Sequence, residues 1–279
     1  MTGFSDLESN KHDDLFTSLD QRRTTFTWLL YGGQNTGKTY TAMSFPEPVF
    51  FIDTELRSDI TASHYPDKDI RIFEPGEISF DDVDPDNPLE DAIDIAASLD
   101  NINQAVISLV NGYREGELEG GTVVLDSVAD LWDWSQEWGK QRLMQKNGVD
   151  RADFSLENQM DWGLIKDKHN RILTGIRTLS KKYDVEVVLT AREKKRPDYV
   201  KDGGEHYIKC EKTVPFWAEV TVRFEKEVRK GQNVHVATFD KLAEHNPPDG
   251  EIVNPTYEDF AEAVESGEIP DDDDDEGGF

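Results

Sequence analysis

The segment Gly32-Gly33-Gln34-Asn35-Thr36-Gly37-Lys38-Thr39 decides the fold of this chain, because it has the spacing Gly-x-x-x-x-Gly-Lys-Thr. Its glycines let backbone N–H groups curl around phosphate oxygens with no Cβ in the way. Lys38 can then reach the terminal phosphates, and the Thr39 hydroxyl can bind Mg²⁺. A β-branched and aromatic run at 25–31 precedes the segment and a helix opens after it, which places the positive end of a helix dipole at the phosphates. The segment and the adjacent Tyr40 therefore predict a binding site for ATP and Mg²⁺.

Two carboxylates occupy positions that would complete such a site. Asp126 ends the apolar run 122–125, where an acid can hold Mg²⁺ at the end of a buried strand. Glu55 follows the apolar run 48–53 and can polarise the water that attacks the terminal phosphate. An acid after a strand is otherwise a turn or cap residue, so the role of each depends on the two strands being neighbours.

The remaining pattern predicts an α/β fold with a mostly parallel sheet flanked by helices. Buried strands are predicted at 25–31, 48–53, 69–73, 122–126 and 185–190, and helices at 89–111, 128–146, 161–182 and 256–266. Strands at 205–210, 218–226 and 232–239 close the sheet, the last two as an antiparallel hairpin. The predicted organisation is a flexible segment at 1–20, one ATPase core at 21–266 and a disordered acidic tail at 267–279.

The composition is strongly acidic, with 58 Asp and Glu against 30 Lys and Arg, a net charge of −28 and a pI near 4.4. Acids are spread through the whole chain, which favours haloadaptation over an acidic surface made for basic partners. One cysteine, Cys210, excludes an intramolecular disulfide, and no apolar run approaches the length of a membrane span. We expect a cytoplasmic protein with no membrane contact.

Three motifs, at 32–39, 51–56 and 123–131, resemble the RecA branch of P-loop ATPases. Phe51-Ile-Asp-Thr-Glu55-Leu resembles the RecA segment Phe-Ile-Asp-Ala-Glu-His, whose glutamate is the catalytic base. The run 123–131, Val-Val-Leu-Asp-Ser-Val-Ala-Asp-Leu, is similar to the RecA metal-binding strand Val-Val-Asp-Ser-Val-Ala-Ala-Leu. With Gln159-Met-Asp-Trp-Gly163 before a long helix, the chain looks like the minimal RecA-like ATPases of viruses of prokaryotes. The resemblance implies action on single-stranded DNA in recombination or annealing, and assembly into a filament or ring.

By the same resemblance, 147–160 and about 192–207 are the two DNA loops. Residues 181–230 hold 13 Lys and Arg against 10 Asp and Glu, a local charge of +3 within the strongly acidic chain. Tyr207 lies nearby for base stacking. The predicted DNA contacts are Arg192, Lys194, Lys195, Arg196, Tyr199 and Lys201. The alternatives are a solvated loop or phosphate sensing at a subunit interface.

The chain departs from the RecA pattern where a Gln or Asn normally senses the γ-phosphate. It has Leu189-Thr190-Ala191-Arg192 there, so sensing would fall to Thr190 or Arg192, which joins both to the predicted nucleotide contacts. Lys241 stands where RecA-type proteins place a lysine that reaches into the ATP site of a neighbouring subunit, and is a candidate catalytic residue on that ground. A surface lysine is the alternative. The segment 260–263, Phe-Ala-Glu-Ala, is similar to a recombinase polymerisation motif but is interpreted as helix core.

The acidic tail at 271–279 ends in Phe279 and resembles those of some single-strand DNA-binding proteins, which implies competition with DNA or docking of a protein partner. The alternative is a tail that serves solubility alone. The leading functional hypothesis is a DNA-stimulated ATPase, and the main alternative is a regulatory or assembly ATPase that acts on protein partners. A small-molecule kinase and a packaging motor are less well supported, because the sequence shows neither a lid-like arginine cluster beyond 192–196 nor a nuclease-like set of acids.

Overall fold

The computed structural model describes residues 25–76, 94–148, 159–195, 206–243 and 245–270. The helices are α1 (Lys38–Ser44), α2 (Ser58–Ala62), α3 (Ile95–Glu115), α4 (Val128–Asn147), α5 (Gln159–Lys182), α6 (Val214–Trp217) and α7 (Tyr257–Ser266). The strands are β1 (Thr27–Gly32), β2 (Val49–Asp53), β3 (Ile70–Phe73), β4 (Thr122–Asp126), β5 (Glu186–Lys195), β6 (His206–Lys209), β7 (Val220–Arg229), β8 (Gln232–Leu242) and β9 (Ile252–Val253). Within these residues, no helix has the length and apolar character needed to cross a membrane.

The strands form one mixed sheet in the order β3-β2-β4-β5-β1-β7-β8-β9, with β6 added beside the far end of β5. The ladders from β3 to β7 are parallel, whereas β8 and β9 are antiparallel additions. The predicted fold class is thus confirmed. Because β1, β2, β4 and β5 run in the same direction, the residues that follow them meet at one edge of the sheet, called here the carboxyl edge.

The two faces of the sheet are covered by different helices, as the alternation of side chains along β1 requires. Leu29 lies on the face that packs against apolar residues of α3, α4 and α5. Leu30 lies on the opposite face, with α1 and α7. Phe260 and Ala263 of α7 are fully buried there, and Phe260 stacks on Trp28 at 5.7 Å. The segment 260–263 is therefore part of the core.

The strand β5 is longer than predicted, and this corrects one expectation about the DNA segment. Arg192, Lys194 and Lys195 do not lie in a loop just past a strand end; they are strand residues paired with β6. The parallel ladders to β4 and β1 stop at Leu189 and Arg192, and antiparallel β6 supplies the backbone partners beyond them. The other predicted contacts in this segment, Arg196, Tyr199 and Lys201, lie outside the described residues, as do 1–20, the tail at 271–279 and most of 147–160.

A buried carboxylate fastens the opposite edge of the sheet. Glu186, at the start of β5, accepts hydrogen bonds from the Trp28 indole N–H at 2.7 Å and from the Phe26 backbone N–H at 3.0 Å. Only 4% of Glu186 is exposed. Burial raises the pKa of this carboxyl group to about 7, although the hydrogen bonds oppose the shift. The Glu186 hydrogen bonds therefore connect β5 to β1 and to the residue before it, and they offset part of the free-energy cost of burying the carboxyl group.

Candidate functional site

The phosphate loop lies at the carboxyl edge, between β1 and α1. Gly32 cannot be replaced without movement, because a Cβ there would lie 2.1 Å from the Phe224 carbonyl oxygen of β7. Gly37 has a φ of +96°, and a Cβ on it would lie 2.8 Å from Cγ of His235. Both glycines are thus required by close approach of the hairpin β7–β8 as well as by the turn itself.

Lys38 lies across this loop. Its ammonium donates to the carbonyl oxygens of Gly33 at 2.6 Å and Gly32 at 3.3 Å, and to the Thr36 hydroxyl at 3.3 Å. Burial lowers the pKa of Lys38, while the carboxylates of Asp126 and Glu55 oppose this shift. The positive charge of Lys38 therefore lies at the loop, where it can bind a phosphate chain.

Asp126 connects three parts of the site. One of its carboxylate oxygens accepts a hydrogen bond from the Thr39 hydroxyl at 2.7 Å, and the other accepts one from the Thr190 hydroxyl. Burial raises the pKa of Asp126 to about 6, and the two hydroxyl donors oppose the shift. A carboxylate beside a hydroxyl is the hard oxygen donor set that Mg²⁺ prefers. The residues therefore fit Mg²⁺, which Asp126 and Thr39 would hold.

The position of Glu55 is set by Asp53, a residue that the sequence analysis did not assign. The Asp53 carboxylate is almost fully buried and accepts four backbone N–H bonds of 2.8 to 2.9 Å, from residues 55 to 58, together with the Ser58 hydroxyl. The loop after β2 is thereby folded around one side chain. The sequence did contain a signal for this role, because Asp53 ends a strand before a polar turn. Asp commonly accepts backbone hydrogen bonds in turns and caps.

Arg192 joins Glu55 to a second carboxylate. Its guanidinium donates to Oε1 of Glu55 from Nε at 3.1 Å and from Nη2 at 2.9 Å. The same Nη2 lies 2.9 Å from both oxygens of Asp130, in the first turn of α4. Burial acts to lower the pKa of Arg192, but Asp130 and Glu55 together raise it above its ordinary value. Asp130 was missed in the sequence because an acid in a first helical turn is ordinarily a capping residue.

Apart from Asp130, these groups line a single cleft of about 490 Å³ at the carboxyl edge. The predicted residues that line it are Gly33, Gln34, Asn35, Thr36, Gly37, Lys38, Thr39, Tyr40, Glu55, Asp126, Thr190 and Arg192. Gly32 contacts Lys38 directly beneath the loop. The fold therefore brings the predicted nucleotide and metal residues together from four separate parts of the chain.

Lys241 is the predicted site residue that the fold keeps apart from this cleft. It pairs with Thr221 near the start of β7, toward the opposite edge of the sheet. Its ammonium donates to the carbonyl oxygens of Pro215 at 3.0 Å and Phe216 at 3.1 Å, and to that of Ala218. Within one chain, Lys241 thus caps helix α6. Its action on the ATP site of a neighbouring subunit stays a prediction.

The fold and the site define a class: a P-loop ATPase-type domain with a mostly parallel sheet, as the motifs predicted. The AAA domain family AAA_24 matches residues 24–245, so the chain belongs to that family. No curated protein sequence matches it.

Among solved structures, the chain is similar to a RadB recombinase, with 13% identity, a TM-score of 0.43, and coverage of 82% of this chain and 86% of that one. It is also similar to the KaiC-like protein PH0186 from the hyperthermophilic archaeon Pyrococcus horikoshii OT3. The identity to that protein is 16% and the TM-score 0.41, with coverage of 82% and 89% of the two chains.

Proposed function

We propose that this chain hydrolyses ATP and that single-stranded DNA, bound along the hairpin β5–β6, stimulates the hydrolysis. One observation carries the proposal: the strand that presents Lys194 and Lys195 at the surface also carries Arg192, which is hydrogen-bonded to Glu55. A ligand that binds the two lysines therefore acts on the same strand as Arg192, the hydrogen-bond partner of the proposed catalytic base Glu55.

The division of labour in hydrolysis follows from the cleft. Backbone N–H groups of the loop and the Lys38 ammonium bind the phosphates, and Asp126 and Thr39 would hold Mg²⁺. When bound, Mg²⁺ neutralises charge on the phosphate oxygens during transfer. Glu55 orients the attacking water and accepts its proton, and Thr190 keeps the Asp126 carboxylate in position through its hydroxyl.

Arg192 connects DNA binding to this chemistry. Oε1 of Glu55 accepts two N–H bonds from Arg192, so that oxygen is occupied while the pair is intact. Lys194 and Lys195 follow Arg192 by two and three residues in the same strand. Because a paired strand transmits displacement along its backbone, DNA phosphates that draw the lysines outward would move Arg192 and release Glu55.

The biological setting rests on the motif resemblance. We infer that the chain acts in recombination, annealing or replication of a virus or mobile element, within the cytoplasm of the host, and assembles as a filament or ring. Sedimentation of the full chain with ATP, with and without an oligonucleotide, tests the assembly. A single monomeric boundary under all conditions contradicts it.

The test of DNA stimulation is ATP turnover with and without single-stranded DNA, in 0.1 M and in molar KCl. Both salts are needed because the Debye length falls from about 10 Å to about 3 Å between them, which screens repulsion from the acidic surface. The double variant Lys194→Gln/Lys195→Gln should lose stimulation while its DNA-free turnover is retained. The control, Lys181→Gln/Lys182→Gln, removes the same charge at the end of α5, on the opposite edge of the sheet.

A second candidate function is a regulatory ATPase that acts on protein partners, through the acidic tail among other surfaces. It is favoured by the net charge of −28, which repels DNA phosphates at low salt. In that case turnover is indifferent to DNA in both salts, and a tail-bearing chain captures a partner that a chain without 271–279 does not. Stimulation by DNA that depends on Lys194 and Lys195 excludes this candidate.

A further inference from the structure

The hairpin β7–β8 borders the phosphate loop, although none of the sequence motifs includes it. Phe224 of β7 is in register with Gly32 at the end of β1, so the next residues of β7 continue alongside the loop. One position of β7 and one of β8 line the cleft. Lys226 and His235 are directly opposite each other in the antiparallel ladder, and both line the cleft.

His235 fixes the hairpin to the loop. Its ring lies against Gly37, where it occupies the space that a Cβ would need. On the other side, the His235 backbone N–H donates to the Asn254 side chain at 3.0 Å, and its carbonyl accepts from the Asn254 backbone N–H at 2.6 Å. Burial and the nearby Lys226 lower the pKa of His235, and a hydrogen bond to the Thr36 backbone opposes them. The ring is thus held between the loop and the segment after β9.

Among the described residues, four cationic side chains line the cleft, and two of them, Lys226 and Arg57, are exposed. Lys38 is bound to loop carbonyls, and Arg192 is paired with two carboxylates. The Lys226 ammonium is exposed, and within the described residues it makes no ion pair or hydrogen bond. In a chain with 58 acids and 30 bases, a cation left unpaired at the rim of a phosphate cleft is suited to an anionic ligand.

The strand order indicates which part of a nucleotide Lys226 would meet. β5 and β4, which carry Thr190 and Asp126, lie on one side of β1, and β7 lies on the other. Lys226 is therefore on the side of the loop away from the hydrolytic carboxylates. A phosphate group that Lys226 binds would therefore be remote from the bond that hydrolysis breaks, and ATP and ADP would share it.

We propose that Lys226 binds the phosphate chain of the nucleotide held by the loop, and that His235 is the positioning residue that holds Lys226 there. The inference rests on the nucleotide-binding part of the proposed function and is independent of DNA stimulation. The ligand class is a nucleoside diphosphate or triphosphate, and Lys226 contributes affinity to both.

The test is the Kd of the full chain for ATP and for ADP in Mg²⁺, together with steady-state kinetics. Lys226→Gln should weaken both nucleotides by a similar factor of about ten, the usual effect of a charge-assisted hydrogen bond, and should raise KM with kcat nearly unchanged. Lys226→Arg should restore most of the affinity. Lys230→Gln, at the turn of the same hairpin, removes the same charge away from the cleft and should change Kd less than about twofold.

The positioning role of His235 is tested by a double-mutant cycle. In a His235→Leu background, the loss caused by Lys226→Gln should shrink to about twofold or less, because Lys226 is no longer held at the loop. Equal losses in both backgrounds contradict the role of His235. A Kd for Lys226→Gln that matches the Lys230→Gln control, or a loss for ATP alone, overturns the role of Lys226.

A Lys38→Ala variant measured in parallel separates this inference from the proposed function. If Lys38→Ala abolishes hydrolysis and Lys226→Gln has no effect on binding, only the inference on Lys226 is wrong. If Lys38→Ala retains normal nucleotide affinity and turnover, the phosphate loop is not the site and the proposed function fails as well.

Discussion

Arg192 and Glu55 form a pair in which two guanidinium nitrogens donate to one carboxylate oxygen, at 3.1 and 2.9 Å. Because Asp130 binds the same guanidinium at 2.9 Å, Arg192 keeps a carboxylate partner when it leaves Glu55. The guanidinium is partly exposed, and Glu55 is one of its two carboxylate partners. Under the proposed function, opening of the pair would leave Glu55 available to water while Arg192 stays on Asp130.

Glu55→Gln should retain ATP binding and lose turnover by at least about a hundredfold, because an amide cannot accept a proton from the attacking water. Single-turnover hydrolysis and the Kd for ATP check this together. Glu117→Gln, an exposed loop position, is the matched control for the lost charge. Turnover close to that of the control would place the base elsewhere.

Arg192→Gln should make turnover independent of DNA, since the link between the hairpin and Glu55 is removed. ATP affinity should stay within about fivefold, because Lys38 and the loop remain. Arg192→Lys should not restore stimulation, as an ammonium cannot bridge two carboxylates as a planar guanidinium does. The check is turnover as a function of oligonucleotide concentration, and stimulation that persists in Arg192→Gln is the contrary outcome.

Gly37→Ala should abolish nucleotide binding, because it adds a Cβ against the His235 ring at a φ of +96°. Gly116→Ala is the matched control: its φ is +73°, but nothing lies within 4 Å of the added Cβ. The control should lose only about 1 kcal/mol of folding free energy from backbone strain and should bind ATP normally. Urea unfolding and Kd values distinguish the two, and normal binding by Gly37→Ala refutes the assignment of the loop.

Glu186 predicts a specific pH dependence of stability. The pKa of Glu186 is raised to about 7 in the native state, from an ordinary value of 4.5. Between these two pH values the native state therefore holds a proton that the unfolded chain has released. The stabilisation from this protonated group is present below about pH 4.5 and is lost as the pH rises toward 7.

Glu186→Gln should accordingly be more stable than the parent chain at pH 8, by up to about 3 kcal/mol, and nearly equal to it at pH 4.5. The amide oxygen still accepts from Trp28 and Phe26, so the hydrogen bonds are retained. Urea unfolding at both pH values measures the difference. A difference that does not change with pH contradicts the shift.

The sequence by itself determined the chemistry that local residues encode. The phosphate loop, the strand before it and the helix after it follow from eight consecutive residues and their flanks, because backbone conformation and phosphate binding depend on near neighbours. The strands that end at Asp53 and Asp126 were predicted from contiguous apolar runs, and parallel strands necessarily bring their ends to one edge. Glu55 and Asp126 could therefore be paired with Lys38 without coordinates.

Only the tertiary structure decided which distant residues complete the cleft. His235 lies 198 positions from Gly37 and reaches it because β7 pairs with β1 and β8 with β7. The Arg192 link to Glu55 and Asp130 depends on β5 lying between β4 and β1, and its extension to Lys195 depends on pairing with β6. Such contacts arise from packing between segments far apart in the chain, for which no local pattern exists. For the same reason, the sequence could suggest a role for Lys241, but it could not predict that its ammonium donates to the carbonyl oxygens of α6.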